Sequence, residues 1–164
     1  MFFCVALYRD KSGDKTLYLT FDNGYENGHT KEILNTLKQV DIKGTFFLTG
    51  HYLSSAPDYV KRMAAEGVYS KNTLRIANKL GYQHIFWSMA IVDWHVARRR
   101  GTDVVVKELL DQLHPGAIIL LHTVTQDNAE ALPLFIQEAK KRGYHFGELE
   151  ELRKQLVNTP IPFH

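Results

Sequence analysis

The sequence from Leu17 to Glu26 reads LYLTFDNGYE, an apolar run that ends in an acid, an amide and a glycine. The run predicts a β-strand, and the pattern that begins near His29 predicts a helix after the turn. In α/β proteins, polar side chains at the carboxyl end of such a strand commonly carry the chemistry. Asp22 is therefore a candidate catalytic group, although Asp22, Asn23 and Gly24 equally suit a turn that caps the helix.

Composition limits the class of protein. The chain has 164 residues, of which 45% are hydrophobic and 23% charged, and its formal net charge is +2. These values predict one soluble domain over residues 1–164, with an irregular tail at 157–164. No basic run is longer than the triplet 98–100, which is expected to be the solvated start of a helix, so nucleic-acid binding is not supported.

Cysteine content and apolar runs narrow the class further. Cys4 is the only cysteine, which excludes an intramolecular disulfide and a cysteine-rich zinc site. No apolar run reaches the roughly 18 residues of a membrane-spanning helix, so no transmembrane segment is predicted. The apolar start lacks the basic leader of a signal peptide, and no export signal is expected in this chain.

Strand-like runs alternate with helical patterns along the chain. This order predicts an α/β fold with a parallel sheet covered by helices, open or closed as a barrel. The rhythm breaks at 67–69, where two helical patterns meet with no strand between them. Strands are predicted at about 16–21, 44–48, 84–90 and 117–122, with a weaker one near 144–146, and helices at about 29–40, 55–66, 70–80, 102–113 and 128–142.

Polar groups follow two further predicted strands. Asp93 and Trp94 come after an apolar run at 86–92, and His122 ends the run that begins at Ala117. Parallel strand ends meet at one rim, so these groups and Asp22 could converge as the equipment of acid–base hydrolysis. Taken singly, Asp93 also suits a loop or capping acid, and His122 a satisfied buried histidine.

Four segments resemble the polysaccharide deacetylases, the NodB-homology carbohydrate esterases, and the resemblance spans nearly the whole chain. The resemblance is closest to the delta-lactam branch, which removes acetyl groups from N-acetylmuramic acid in bacterial peptidoglycan, notably in spore cortex. It implies a distorted (β/α) barrel, a glycan polymer as substrate, and an extracytoplasmic location in the cell wall, as a secreted protein or in the spore. The matching segments are 17–28, 44–48, 86–94 and 114–124.

The resemblance also implies residue roles. Asp22 maps to the catalytic base, and Asn23 occupies the position of a metal-binding acid. His122 maps to the general acid that protonates the leaving amine, and Asp93 maps to its carboxylate partner. A further group is implied to bind substrate, namely Trp94, Trp87 and Leu120.

The chain departs from the family at the metal site. Relatives hold zinc or another divalent metal with two histidines about one turn apart, but no two of the eight histidines here lie three or four residues apart. An Arg-Pro-Pro-Arg-Gly type segment is also absent, and its flank joins directly at Gly67–Val68. The barrel is therefore expected to be incomplete there, with strands missing and the exposed sheet edges open to self-association.

Two functions remain open from the sequence. One is a metal-dependent amide hydrolase with weak or no activity, in which His51 is the best placed imidazole to replace a lost ligand. The other is a catalytically inactive remnant that binds glycan through Trp94 and Trp87. A nucleotide-dependent enzyme is disfavoured, because the chain has no Gly-x-Gly-x-x-Gly or Walker pattern.

Overall fold

A computed structural model describes residues 6–7, 9–65 and 84–157. The strands are β1 (Ala6–Leu7), β2 (Thr16–Asn23), β3 (Thr45–Leu48), β4 (His84–Ile85), β5 (Met89–Ala90), β6 (Ile118–His122) and β7 (His145–Phe146). The helices are α1 (Thr30–Gln39), α2 (Gly50–Ser55), α3 (Pro57–Ala65), α4 (Thr102–Asp111), α5 (Gln126–Lys141) and α6 (Leu149–Val157). None of the helices in these ranges is long and apolar enough to cross a membrane.

The main sheet is parallel and has β2 at its centre. Its order is β3–β2–β6–β5, with β7 paired to the start of β2, while β1 and β4 form a separate two-stranded sheet. The predicted α/β class is confirmed, and the sheet formed by the described residues does not close into a barrel. The expected junction at Gly67–Val68, the predicted helix at 70–80 and residues 158–164 of the tail lie outside the described residues.

Both faces of β2 are largely buried, so the alternating direction of its side chains decides which face carries the chemistry. Leu17, Leu19 and Phe21 are at most 2% exposed and belong to the main hydrophobic cluster. Each such side chain contributes about 1.5–3 kcal/mol when fully buried. Because successive strand residues point to opposite faces, this burial places Asp22 on the face away from the cluster. Helices α1 and α5 contribute to the same cluster through Ile33, Leu34, Leu37, Leu132, Phe135 and Ile136.

A glycine controls the entry to β6. Gly116 has φ +76°, and a Cβ there would lie 2.1 Å from the carbonyl oxygen of Asp10. Its N–H donates to Thr16 O at 2.9 Å, and its carbonyl accepts from Asp10 N at 2.9 Å. No residue with a side chain fits this turn without moving the backbone, so Gly116 fixes where β6 begins beside β2.

The apolar run at 84–90 is not one strand, as the sequence predicted, but the two short strands β4 and β5. β4 pairs with β1, whereas β5 pairs with β6, so the run passes from one sheet to the other. Between them, Ser88 bonds to Ile118 through its backbone N–H at 3.1 Å and through its hydroxyl at 3.2 Å. An apolar run shared between two sheets has the same pattern as one continuous strand.

The helix predicted at 55–66 is present as α3, and a short helix that was not predicted, α2, precedes it. Thr49 caps α2 by accepting a hydrogen bond from Tyr52 N at 3.1 Å, so this helix begins at Gly50. α3 begins at Pro57, a residue that is favoured at the first helical position and disfavoured in a helix interior. The other helices within the described ranges lie within two residues of their predicted bounds, whereas β1 and α6 were not predicted.

Candidate active site

The register of the sheet brings Asp22 and His122 together. They are directly paired on β2 and β6, at the carboxyl ends of both strands. Paired residues of neighbouring strands share a face of the sheet, so both side chains stand on the face opposite the main hydrophobic cluster. The predicted convergence of these two groups is therefore present in the fold.

Asp93 binds His122 at two points. Its Oδ1 lies 2.7 Å from the imidazole Nδ1, and its Oδ2 accepts the backbone N–H of His122 at 2.8 Å. The hydrogen bond to Asp93, supported by the negative charges of Asp93 and Asp22, raises the pKa of His122 despite its partial burial. Since Nδ1 is held by Asp93, Nε2 is the ring nitrogen left to meet a substrate. The pair is thus prepared to act as a general acid.

Asn128 completes this cluster, and no sequence pattern assigned it a role. It lies in the first turn of α5 and is 4% exposed. Its Nδ2 donates to Asp93 Oδ2 and to the carbonyl oxygen of His122, the latter at 2.9 Å. Asn128 follows His122 by six residues in one strand–helix turn, and that placement was the available signal.

Asp127 holds the loop that carries Asp93 against α5. Its carboxylate accepts hydrogen bonds from Arg99 Nε at 2.8 Å, Arg100 N at 2.6 Å and Gly101 N at 3.1 Å. Burial raises the pKa of Asp127, but these hydrogen bonds outweigh it and leave the pKa below its usual value. The arginine triplet lies just before α4, with its first two residues exposed as expected, and Arg99 and Arg100 also form ion pairs with acidic side chains of α5 and α4.

The other half of the rim is less fully bonded. Within the described ranges, the carboxylate of Asp22 makes no hydrogen bond or ion pair. Asn23 is fully buried, and its Nδ2 donates to Thr123 Oγ1 at 2.8 Å. Its Oδ1 is buried with no hydrogen-bond partner. Strand register alone therefore positions the Asp22 carboxylate, and the buried side-chain oxygen of the neighbouring Asn23 has no hydrogen-bond partner.

A network of buried hydroxyl groups is hydrogen-bonded to Asn23 through Thr123. Thr30 Oγ1 lies 3.0 Å from both Thr123 Oγ1 and the hydroxyl of Tyr52. Tyr52 donates to Glu26 Oε2 at 2.9 Å. Burial, together with the charge of Glu26, raises the pKa of Tyr52 to about 12, so this hydroxyl stays protonated and keeps its role as a donor. The network links the strand end to α1 and α2.

The three expected substrate-binding residues occupy different positions. The Trp94 ring is 47% exposed and meets the His122 imidazole edge-on, with 5.7 Å between ring centroids. Trp87 donates through Nε1 to Thr20 Oγ1 at 3.0 Å, and Thr20 is paired with Leu120. Leu120 shares the face of His122 but lies two residues further from the rim. Of these three residues, only Trp94 makes a ring contact with His122.

Comparison with known proteins assigns the chain to a family. A family model described as polysaccharide deacetylase matches residues 9–73. The peptidoglycan-N-acetylmuramic acid deacetylase PdaA of Bacillus subtilis is 36% identical over 90% of this chain and 74% of that protein. The chain belongs to the polysaccharide deacetylase family. Its members are hydrolases of amide bonds, so the expected class of enzyme is confirmed at the level of the family.

The family assignment also holds at the level of structure. The solved structure of Bacillus subtilis PdaA, a family 4 carbohydrate esterase, matches with a TM-score of 0.81 and 35% identity, over 92% of this chain and 85% of that chain. An uncharacterised 30.6 kDa protein of Geobacillus stearothermophilus is 39% identical, over 95% of this chain and 78% of that protein. That alignment spans 206 positions, whereas the chain has 164 residues. The relative thus carries residues that this family member lacks.

The family is generally metal-dependent, which allows the side chains present to be tested against such a site. In the parts of the chain that the structure describes, no three side chains of His, Cys, Asp or Glu come together as a metal-binding group. His51 is exposed on α2. The free Oδ1 of Asn23 is a hard oxygen ligand, whereas zinc is usually held by nitrogen and sulfur. These side chains do not fit a zinc site of the family type.

Proposed function

We propose that this chain hydrolyses the N-acetyl amide of an amino sugar in peptidoglycan, with N-acetylmuramic acid as the sugar. The observation that carries the proposal is the pairing of Asp22 with a His122 whose pKa is raised by Asp93. The substrate is supported by the printed activity of PdaA. Because that substrate lies outside the cytoplasm, the proposal includes an extracytoplasmic site of action.

Two side chains divide the proton transfers. Asp22 accepts a proton from water as the water oxygen bonds to the acetyl carbon. Protonated His122 donates from Nε2 to the amide nitrogen as the C–N bond breaks, which leaves acetate and a free amine. Each positioned acid or base contributes roughly 10²–10⁴-fold to the rate. We expect slow turnover, because a metal of the family type would supply several kcal/mol of transition-state stabilisation, and the described side chains do not fit such a metal.

Acetate release from purified peptidoglycan tests the proposal. The wild-type chain and an Asp22→Asn variant are incubated with the same substrate for the same time. Asp58→Asn is the matched control, since Asp58 is an exposed carboxylate on α3. We expect release by the wild type and by Asp58→Asn, and loss of release in Asp22→Asn. No release from folded wild-type protein would reject the hydrolase.

A second candidate function is glycan binding without catalysis. It is favoured by two observations: the described residues include no group of three His, Cys, Asp or Glu side chains that could hold a metal, and Trp94 is exposed at the rim. A sugar ring can stack on an indole without any metal. Binding of glycan strands that persists in Asp22→Asn and in the presence of a chelator, without acetate release by the wild type, would support this function. Loss of binding in Trp94→Ala would place the contact at the rim.

A further inference from the structure

An open groove lies beside the His122 imidazole, and its use deepens the proposed function. It has a volume of about 870 Å³ and is formed by the loop after β5 and the first turn of α4. We call it the 92–104 groove. Its walls include Val92, Trp94, His95, Val96, Arg98 and Val104.

The walls of the 92–104 groove are mainly apolar. Val92, Trp94, Val96 and Val104 are each between 44% and 49% exposed. Trp94 belongs both to the groove and to the edge-on contact with His122. Trp94 therefore connects the groove to the candidate site, and a sugar held against Trp94 would extend along the groove.

One cation of the groove stays unneutralised. Arg99 forms ion pairs with Asp127 and Glu130, and Arg100 forms one with Glu108. Across the ranges that the structure describes, the Arg98 guanidinium has neither a hydrogen bond nor an ion pair, and its side chain is exposed. A smaller cavity is lined by both Arg98 and Asp93, which places Arg98 near the acid pair.

An apolar groove with a single free guanidinium suits a ligand that has an apolar sugar face and one carboxylate. N-acetylmuramic acid differs from N-acetylglucosamine by a lactyl ether that ends in a carboxylate. We propose that Arg98 binds this lactyl carboxylate while Trp94 stacks on the sugar ring. Arg98 is then the residue that selects muramic acid over glucosamine.

Binding to two glycans tests this role of Arg98. The probes are peptidoglycan strands with free lactyl carboxylates, prepared by removing the stem peptides, and chitooligosaccharides of equal length. All measurements use the full chain carrying Asp22→Asn, so that no substrate is consumed. We expect the muramic acid strands to bind about 10-fold more tightly, as one charge-assisted contact provides. Arg98→Gln should remove this preference and leave chitooligosaccharide binding unchanged.

Two further variants sharpen the test. Arg142→Gln is the matched control, because Arg142 is an exposed arginine whose ion pair is with Glu138 on α5. It should retain the preference, and Arg98→Lys should retain part of it, since lysine keeps the charge without the planar fork. An equal loss of both glycans in Arg98→Gln, or no preference in the parent chain, would overturn the assignment.

The outcome is distinguishable from that of the proposed function. Binding in the Asp22→Asn background needs no turnover, whereas the proposed function is judged by acetate release. A chain that releases acetate but shows no preference would keep the hydrolase and reject the role of Arg98. A chain that shows the preference without release would keep the role of Arg98 as a glycan-binding residue and reject the hydrolase.

Discussion

The two halves of the rim differ in how they are held. The acid half, made of Asp93, His122 and Asn128, is bonded through side chains and backbone at several points. The base half, made of Asp22 and Asn23, has a carboxylate without bonds in the described ranges and one side-chain hydrogen bond, from Asn23 to Thr123. Each half also holds one buried amide oxygen without a partner, on Asn128 and on Asn23. Strand register is enough to bring a group to the rim, but hydrogen bonds are needed to fix its orientation and its pKa.

The largest expected effect tests whether the acid half does chemistry. His122→Gln should lower acetate release by about 10²–10⁴-fold, because glutamine cannot donate a proton to the leaving amine. His51→Gln is the matched control, as His51 is exposed on α2 and lies away from the bonded cluster. Loss of activity in His51→Gln would show that the His51 imidazole acts together with Asp22. The contrast between the two halves of the rim would then be wrong.

The second prediction contrasts the stability that each half contributes. Asp93→Ala removes the partner of the imidazole and of two donors, so the free energy of unfolding should fall by about 3 kcal/mol. Asp22→Ala removes no hydrogen bond and should change it by less than about 0.5 kcal/mol. Urea unfolding measures both variants. Equal losses would contradict the view that Asp93 is held by more hydrogen bonds than Asp22.

A third prediction compares the two buried amides. Asn128→Ala removes donors to Asp93 and to the His122 carbonyl and should destabilise the fold by about 1–3 kcal/mol. Asn23→Ala removes a single bond to Thr123, together with an oxygen that already lacks a partner, and should cost about 1 kcal/mol. The same urea series ranks them. A larger loss for Asn23→Ala would mean that its Oδ1 has a role in the folded state.

The fourth and smallest effect concerns pH. The pKa of His122 is raised in the folded state, so the Asp93–His122 pair stabilises the fold below the unfolded value of about 6.5. This contribution is lost as the pH rises through the raised pKa. Unfolding measured over this window should show the loss in the wild type, whereas Asp93→Asn should be nearly insensitive. A wild type as insensitive as Asp93→Asn would contradict the pairing.

Much of the fold follows from local pattern. The apolar run of β2 and the helical patterns of α1 and α5 predicted these elements, because the spacing of apolar residues follows the period of each element. The divided run at 84–90 was not predictable in this way. Most of its residues are apolar, and only contacts with β1 and β6, which are distant in sequence, decide where one strand ends and the next begins.

The site shows the same limit. Asp22, Asp93 and His122 could be found because each follows a predicted strand, and parallel strands end at one rim. Asn128 and Asp127 were missed because their roles depend on how α5 packs against a loop that precedes it by about 30 residues. The lack of a side-chain partner for Arg98 within the described ranges likewise depends on tertiary structure, since three adjacent arginines look alike in sequence.

The titration of His122 shows directly whether Asp93 raises the pKa of this imidazole and so keeps it protonated as an acid. Proton NMR of the imidazole Cε1–H over a pH series gives this pKa, with His122→Gln identifying the resonance among the eight histidines. We expect a pKa above about 6.5 in the wild type and a lower value in Asp93→Asn. Equal values in the two proteins would contradict this role of Asp93.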